Sequence, residues 1–282
     1  DGSKAWLVSK RLEVCKMDAR VRVAVAGALG KMGQETVKAV FGDDELLLVG
    51  IVDPKGQGKR LSEALAISGL ELPIHYDVAE MIDDCKPEIV IDFTTPHTVY
   101  SNARTILSRG VTAIIGTTGL NEFELQQLET LAGEKEVGIA VIPNFAIGAV
   151  LMMKFAKEAA RYFPNVEIIE LHHDQKLDAP SGTAVKTAEM INEALAGIPP
   201  RAVQETVKLP GCRGGALEGV RVHSVRLPGL VAHQEVIFGG PGQALTIRHD
   251  SYNRESFMPG VLLAVKKMAG RKGMVYGLEN LL

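Results

Sequence analysis

This sequence of 282 residues has no long hydrophobic run, no excess of basic over acidic residues, and no pairing pattern among its cysteines. No apolar run approaches the ~18–20 residues that cross a bilayer, so we expect no membrane segment. The formal net charge of −3 argues against a nucleic-acid partner, which requires a concentrated basic surface. The three cysteines are an odd number, lie far apart and lack a metal-like pairing, which fits reduced thiols in a cytoplasmic protein.

The composition that remains is typical of a globular protein, with 46% hydrophobic and 23% charged residues. The length suffices for one large domain or two moderate ones. Residues 1–16 differ from the rest and contain no uninterrupted apolar core of a signal peptide. We expect them to be a leader derived from cloning, with Met17 as the natural start. A short natural extension is the alternative.

A glycine-rich turn follows the first predicted strand, residues 21–26. Gly27, Gly30 and Gly33 lead from this strand into a helix, although their spacing departs from G-x-G-x-x-G. Such a turn brings backbone amides to a pyrophosphate at the helix N-terminus. Asp53 follows Gly33 by 20 residues, where an acidic contact to the ribose is expected. These features together predict a dinucleotide site, and a purely structural turn is the alternative.

Apolar strands alternate with helices through the first half of the chain, which predicts a parallel, doubly wound sheet. The predicted strands are 46–53, 89–93, 112–116 and 138–142, and the predicted helices include 78–85, 97–109 and one that Asn121 and Glu124 cap. Ligands bind such sheets beyond the carboxyl ends of the strands. Three strand ends carry small or polar residues and predict nicotinamide and ribose contacts: Phe93, Thr94, Gly116, Thr117, Thr118, Pro143, Asn144, Phe145 and Ala146.

The second half changes pattern and predicts an α+β domain. Helices 149–162 and 181–195 flank a strand over 166–171, and a glycine-rich stretch, 210–219, reads as an exposed loop. Successive period-two stretches over 220–227, 233–238 and 244–250 indicate an open, largely antiparallel sheet. A final helix over 256–269 presents an apolar face for packing on the first domain.

Proton donors and an anion-binding segment follow the strand 166–171. His172, His173 and Lys176 bring exchangeable protons and positive charge. The amides of Ser181, Gly182 and Thr183 start a helix and would hold an anion. We therefore expect a small carboxylated substrate. Adjacent strand residues point to opposite faces, so the two histidines should play different parts.

The other polar residues receive structural interpretations. His223, His233 and His249 lie on predicted strands with no evident partner. Although the chain has seven histidines, no H-E-x-x-H or comparable motif is present, and we expect no metal site. Together the two halves predict hydride transfer from a nicotinamide cofactor to a carboxylated acceptor, with a histidine delivering the proton.

The sequence resembles the 4-hydroxy-tetrahydrodipicolinate reductase (dihydrodipicolinate reductase) family of the diaminopimelate route to lysine. The resemblance covers roughly residues 19–282 and is carried by these motifs: 25–33 (VAGALGKMG), 92–94 (DFT), 116–119 (GTTG), 144–145 (NF) and, most specifically, 170–173 (ELHH) through Lys176 to 178–184 (DAPSGTA). It implies a Rossmann-type domain, 17–145 plus 251–282, and a substrate-binding and tetramerisation domain with an open mixed sheet, 146–250.

The resemblance also implies residue roles. His172 matches the proton donor/acceptor, Lys176 the proton donor, and His173, Gly182 and Thr183 the substrate-binding positions. The cofactor-binding matches are Gly27, Ala28, Leu29, Gly30, Lys31 and Met32, Gly116–Thr118 and Pro143–Ala146. The expected partners are the cyclic dicarboxylate substrate and three further copies of the chain in a homotetramer.

The choice between NADH and NADPH depends on the end of the second strand. Asp53 would accept the ribose hydroxyls of NADH, whereas Lys55 could neutralise the 2′-phosphate of NADPH. We predict that both cofactors are used.

Two alternatives stay open at this point. Another Rossmann dehydrogenase of a small carboxylated metabolite is one, although an aspartate-semialdehyde dehydrogenase would need a nucleophilic cysteine, and neither Cys85 nor Cys212 lies in a plausible place. A non-catalytic NAD(P)H-sensing protein is the other, but a sensor has no need of the proton donors His172 and Lys176.

Overall fold

A computed structural model describes residues 20–56, 60–62, 70–196, 198 and 204–282. The predicted leader, 1–16, and Met17 lie outside these residues. The described chain forms two compact units. One comprises the described residues up to Val141 and Leu262–Val275, and the other comprises Ile142–Val261 and Tyr276–Leu282. Among the described helices, none is both long and apolar enough to cross a membrane.

The first unit contains a seven-stranded sheet. The strands are β1 (Val21–Ala26), β2 (Leu46–Val52), β3 (Ile74–His75), β4 (Ile89–Asp92), β5 (Thr112–Ile115), β6 (Gly138–Val141) and β12 (Gly273–Tyr276). Their order across the sheet is β12-β6-β5-β4-β1-β2-β3. In this order, all neighbouring pairs from β6 to β3 are parallel. The predicted Rossmann-type sheet is therefore confirmed, with β3 and β12 as short strands that the apolar pattern did not predict.

Helices cover this sheet because their apolar faces pack on strands that are buried on both sides. They are α1 (Lys31–Phe41), α2 (Val78–Cys85), α3 (Val99–Ser108) and α4 (Glu122–Lys135), and α7 (Met258–Met268) follows near the C-terminus. Strands β4, β5 and β6 are buried at every residue, as expected for parallel strands between two helical layers. The predicted capping box is confirmed, since Asn121 and Glu124 exchange side-chain and backbone hydrogen bonds.

The second unit contains a five-stranded mixed sheet. Its strands are β7 (Asn165–His172), β8 (Gly215–Leu217), β9 (Val220–Arg226), β10 (Ala232–Gly240) and β11 (Gln243–Ser251), in the order β11-β10-β7-β9-β8. Only β7 and β9 run parallel, and the other neighbouring pairs are antiparallel. Helices α5 (Ile147–Ala160) and α6 (Gly182–Ala194) complete the unit. The expected α+β domain with an open, mixed and largely antiparallel sheet is confirmed.

One stretch of the second unit differs from its prediction. The glycine pattern of 210–219 predicts a loop throughout, but β8 lies within this segment and pairs with β9. Gly214 and Gly219 adopt positive φ angles of 63° and 106° on either side of β8. These two glycines make the tight turns that such a short strand needs, and the same glycines produce the loop prediction.

Candidate functional site

The turn after β1 has the close backbone packing that the glycine spacing predicts. Gly27 has a φ of 78°, and a Cβ there would lie 2.3 Å from the carbonyl oxygen of Phe93. A Cβ on Gly33 would lie 2.0 Å from the carbonyl oxygen of Gly27. Gly30 precedes α1 and supplies no side-chain cap, so the amides of the first helical turn remain available to a ligand. This arrangement fits a pyrophosphate at the helix N-terminus, where residues 27–32 are predicted to bind it.

Asp53 lies directly beside this turn. Its carboxylate accepts the amide of Leu29 at 2.9 Å and the amide of Lys55 at 3.0 Å, one through each oxygen. The side chain is buried, with 7% exposure. Asp53 therefore also ties the glycine turn to the end of β2, a role that the sequence did not indicate. Each carboxylate oxygen retains a second lone pair with which to accept a ribose hydroxyl, while Lys55 is exposed on the 3-10 turn Pro54–Gly56.

A buried carboxylate organises the ends of β4 and β5. Asp92 is fully buried and accepts hydrogen bonds from the hydroxyls of Thr94 at 2.7 Å and Thr117 at 2.8 Å. Asn102 donates to its second oxygen at 2.9 Å. The predicted contact residues Thr94 and Thr117 are thus fixed by one group that sequence reasoning did not predict as a site residue. The signal that could have identified Asp92 is its charge at the end of the otherwise apolar run of β4.

The predicted residues Phe93, Gly116 and Thr118 lie at the same strand ends. A Cβ on Gly116 would lie 2.2 Å from the ring of Phe93, so the glycine makes room for this ring. Thr118 is exposed. Backbone, aromatic ring and hydroxyls therefore meet at the carboxyl edge of the sheet, as ligand binding in such folds requires.

The third predicted strand end, 143–146, belongs to the second unit. Asn144 accepts the amide of Ala146 at 2.9 Å and donates its side-chain N–H to the hydroxyl of Thr183 at 3.2 Å. Phe145 and Ala146 are almost fully buried. A predicted cofactor-binding residue and a predicted substrate-binding residue are therefore in direct contact.

A cavity of about 220 Å³ in the second unit gathers several of the predicted site residues. They are Pro143, Asn144, Ala146, His172, Ser181 and Thr183. His173, Lys176, Gly182 and Phe145 are not among its lining residues. The cavity also includes Gln234 and two histidines, His233 and His249, that receive a structural interpretation from the sequence.

The start of α6 has the geometry of an anion site. Ser181 precedes the helix, and its hydroxyl accepts the amide of Ala184 at 3.2 Å. The amides of Gly182 and Thr183 come before that bond and have no carbonyl of their own helix to reach. Their partial positive charge adds to that of the helix N-terminus, which favours a carboxylate.

His172 and His173 occupy different environments, as their adjacency predicts. His172 ends β7 and lines the cavity, and its Nδ1 lies 2.5 Å from the carboxylate of Glu170. His173 comes after the strand and is exposed. Lys176 follows in the loop, where its ammonium donates to Asp178 at 2.7 Å. This bond, with the lysine's positive charge, lowers the pKa of Asp178.

Two of the histidines with a structural interpretation line the cavity, and His233 has hydrogen-bond partners there. His233 Nδ1 lies 2.7 Å from Asp250, and its Nε2 accepts the amide of Val231 at 3.2 Å. Since an amide can only donate, the Nδ1 of His233 carries the proton and donates it to Asp250. His249 packs against Gly148, where a Cβ would lie 2.4 Å from the ring, and burial lowers the pKa of His249. The sequence alone shows no partner for His233 because Asp250 lies on a different strand, β11.

A group of possible metal ligands lies in the first unit. His75, Glu80 and Asp84 place their ligand atoms within 4.8 Å of one another, and both carboxylates are exposed. The group shares no residue with the predicted site. The expectation that the chain has no metal site stays a prediction.

The charge on Glu170 should make the second unit sensitive to acid. Burial acts to raise the pKa of Glu170, but hydrogen bonds from His172, Arg226 and Ser224 outweigh it and lower the pKa to about 2. A folded-state pKa below the ordinary value of 4.5 stabilises the fold above pH 4.5, and this stabilisation is lost as the pH falls from 4.5 to 2. The ionised Glu170 therefore contributes about 3 kcal/mol to the free energy of unfolding above pH 4.5.

Urea unfolding at fixed protein concentration measures this loss between pH 5.5 and 3. Other carboxylates add their own acid sensitivity, so the informative quantity is the difference between the wild-type chain and a Glu170→Gln/Arg226→Met variant. The wild-type free energy of unfolding should fall more steeply with acid. Parallel curves would contradict the prediction.

The chain is similar to known proteins over nearly all of its length. Residues 21–145 match the family model "Dihydrodipicolinate reductase, N-terminus" and residues 148–282 match "Dihydrodipicolinate reductase, C-terminus". The 4-hydroxy-tetrahydrodipicolinate reductase of Syntrophomonas wolfei is 61% identical over 94% of this chain and 100% of its own length. That of Listeria monocytogenes is 54% identical over 93% and 100%. The structure of dipicolinate-bound dihydrodipicolinate reductase from Paenisporosarcina sp. TG-14 is similar with a TM-score of 0.84 and 50% identity, covering 93% of this chain and 100% of that one.

Proposed function

This chain belongs to the dihydrodipicolinate reductase family, NAD(P)H-dependent oxidoreductases of the diaminopimelate route to lysine, and we propose that either His172 or Lys176 supplies the proton in its reaction. The reaction reduces 4-hydroxy-tetrahydrodipicolinate to tetrahydrodipicolinate. The bound cofactor supplies the hydride. The residues of this chain orient the dicarboxylate, exclude water and deliver a proton.

The observation that carries the proposal is the set of groups around one cavity. His172 reaches it from the end of β7, Ser181 and Thr183 from the start of α6, and Asn144 from the loop after β6. A carboxylate on the helix amides would hold the substrate ring against His172, whose Nε2 is free of the bond to Glu170. From the following loop, Lys176 would supply positive charge and His173 a ring N–H for the second carboxylate. The similar reductase from Paenisporosarcina binds dipicolinate, a flat ring with two carboxylates.

A coupled assay tests this function. Dihydrodipicolinate synthase would generate the substrate from pyruvate and aspartate semialdehyde, and the absorbance of NADH or NADPH would be followed. We expect oxidation of the cofactor only when all components are present. Cofactor binding without oxidation would instead indicate an NAD(P)H-sensing protein.

Both nicotinamide cofactors should support this turnover. Asp53 retains acceptor capacity for the ribose hydroxyls of NADH, and the exposed Lys55 offers a charge to the 2′-phosphate of NADPH. We expect kcat/KM values within a hundredfold of each other. Steady-state kinetics with each cofactor measure the ratio, and a preference above that limit, about 2.7 kcal/mol, would contradict the prediction.

The remaining assignments concern the organisation of the protein. The cofactor domain would comprise 17–145 and 251–282, and the substrate and oligomerisation domain 146–250. The protein would act in the cytoplasm as a homotetramer. Light scattering after size-exclusion chromatography tests the oligomeric state, for which a mass near four times 30.3 kDa is expected.

A further inference from the structure

Glu170 is a buried carboxylate among charged side chains, and the reaction proposed above gives it no role. It lies on β7 two residues before His172, so both side chains point to the same face of the sheet. Its exposure is 0%. One oxygen lies 2.5 Å from His172 Nδ1, and the guanidinium of Arg226 on β9 donates to both oxygens at 2.7 and 2.8 Å.

These contacts determine which nitrogen of His172 carries a proton. An ionised carboxylate has no proton to donate, and Arg226 uses its own N–H groups on the carboxylate. The proton between Glu170 and His172 must therefore belong to Nδ1. Nε2 is left as the nitrogen that gains or loses a proton towards a ligand in the cavity. A histidine whose second nitrogen is held by a carboxylate is the usual arrangement of an oriented proton donor or base.

Arg226 connects this pair to the loop that bears Lys176. Its Nη2 also donates to the carbonyl oxygen of Asp178 at 2.8 Å, and Asp178 accepts the ammonium of Lys176. One guanidinium therefore contacts the partner of His172 and the segment that holds Lys176. The polar groups facing Glu170 are His172 on its own strand, Ser224 and Arg226 on β9, Gln234 opposite it on β10, and the amide of Ser181. Asp178 in the loop faces Arg226 instead.

We propose that Glu170 and Arg226 are positioning residues, with Glu170 fixing the Nδ1-protonated form of His172 and Arg226 fixing Glu170 and the Asp178 carbonyl. The inference rests on the proposed role of His172 as a proton donor. It goes beyond that role because it assigns the tautomer and orientation of His172 to two residues that do not line the cavity.

The first test is Glu170→Gln. The amide keeps the shape of the side chain but removes the charge that stabilises a protonated imidazole. We expect kcat to fall about 10²-fold or more, and the limb of the kcat–pH profile that reports the proton donor to move to lower pH. ¹⁵N NMR of the histidine rings should show Nδ1 protonated at His172 in the wild-type chain and a mixed tautomer in the variant.

A matched control and a second variant make the test decisive. Glu167→Gln alters a carboxylate on the same strand that pairs with Arg213 and His223 instead, and it should leave both the pH profile and the His172 tautomer unchanged. If Glu170→Gln leaves the half-buried guanidinium of Arg226 without a carboxylate partner and does not fold, Glu170→Gln/Arg226→Met removes both charges and takes its place. A folded variant with the wild-type tautomer and pH profile would overturn the proposal, even if kcat falls.

The His172→Ala variant separates the two hypotheses. Full activity in His172→Ala would overturn the proposed function of His172 itself. An inactive His172→Ala beside a Glu170→Gln variant with wild-type kcat, pH profile and tautomer would overturn only the positioning role. Loss of activity in both, with the tautomer changed in Glu170→Gln, supports the inference.

Discussion

Replacing His172 with alanine should lower kcat by roughly 10²–10⁴-fold, the usual contribution of a general acid. The imidazole lines the cavity, its Nδ1 is held by Glu170, and its Nε2 is the ring nitrogen left for the substrate. Replacing Lys176 with alanine should have an effect of the same order, because its ammonium is the other proton donor of the segment. Stopped-flow or steady-state assays with saturating cofactor measure both.

Two substitutions outside the cavity serve as controls. His223→Ala removes a histidine of the same sheet that is also bonded to a β7 glutamate, here Glu167, at 2.8 Å. Lys186→Ala removes an exposed lysine from α6. Both controls should retain activity within a few-fold of the wild-type chain. Near-normal turnover in His172→Ala and Lys176→Ala alike, with the circular dichroism spectrum unchanged, would refute the assignment.

Chemical rescue of the two variants would identify the residue that delivers the proton. Lys176 is bonded to the exposed Asp178, whereas His172 is bonded to the fully buried Glu170. Small amines added to Lys176→Ala, or imidazole added to His172→Ala, should restore part of the activity of whichever variant has lost its proton donor. Restoration by only one additive would assign the proton to that residue.

Most of the fold could be predicted because its signals are local. The apolar runs of β1, β4, β5 and β6 need no knowledge of their neighbours, since parallel strands buried on both faces are apolar throughout. The three strands that the sequence pattern does not predict, β3, β8 and β12, have two to four residues each. Strands this short have no measurable periodicity, and their existence depends on a neighbouring strand edge that the local sequence does not describe.

The site was predictable to the extent that its residues are close in sequence. His172, Lys176 and Thr183 belong to one segment, so their chemistry could be read together. Other groups around this segment have partners from distant parts of the chain: Arg226 is 56 residues from Glu170, and Asp250 is 17 residues from His233. Only strand pairing brings these residues together, and pairing is set by tertiary packing. Glu170 is the exception, because its period-two spacing from His172 could have identified it.

The second large effect is expected from Gly33→Ala. Alanine favours a helix over glycine by about 1 kcal/mol, yet at this position of α1 a Cβ would lie 2.0 Å from the backbone oxygen of Gly27. Backbone cannot move aside as a flexible side chain can, so the turn itself must shift. We expect a net destabilisation of about 3 kcal/mol, together with weaker cofactor binding because the same turn presents the amides to the pyrophosphate. Calorimetric unfolding and a fluorescence titration with NADH measure the two effects.

Gly133→Ala is the matched control, since it makes the same substitution inside α4 of the same unit. Among the described residues, no heavy atom apart from those of its own helix and chain neighbours lies within 4 Å of the position of a Cβ there. The alanine should therefore stabilise the chain by about 0.4–1 kcal/mol through helix propensity and a less flexible unfolded state, with no change in cofactor affinity. If Gly33→Ala lowers the free energy of unfolding and Gly133→Ala raises it, the destabilisation is due to the close contact between Gly33 and Gly27. A stabilising Gly33→Ala would show that the turn after β1 can relax, and the close packing inferred for the pyrophosphate site would then be wrong.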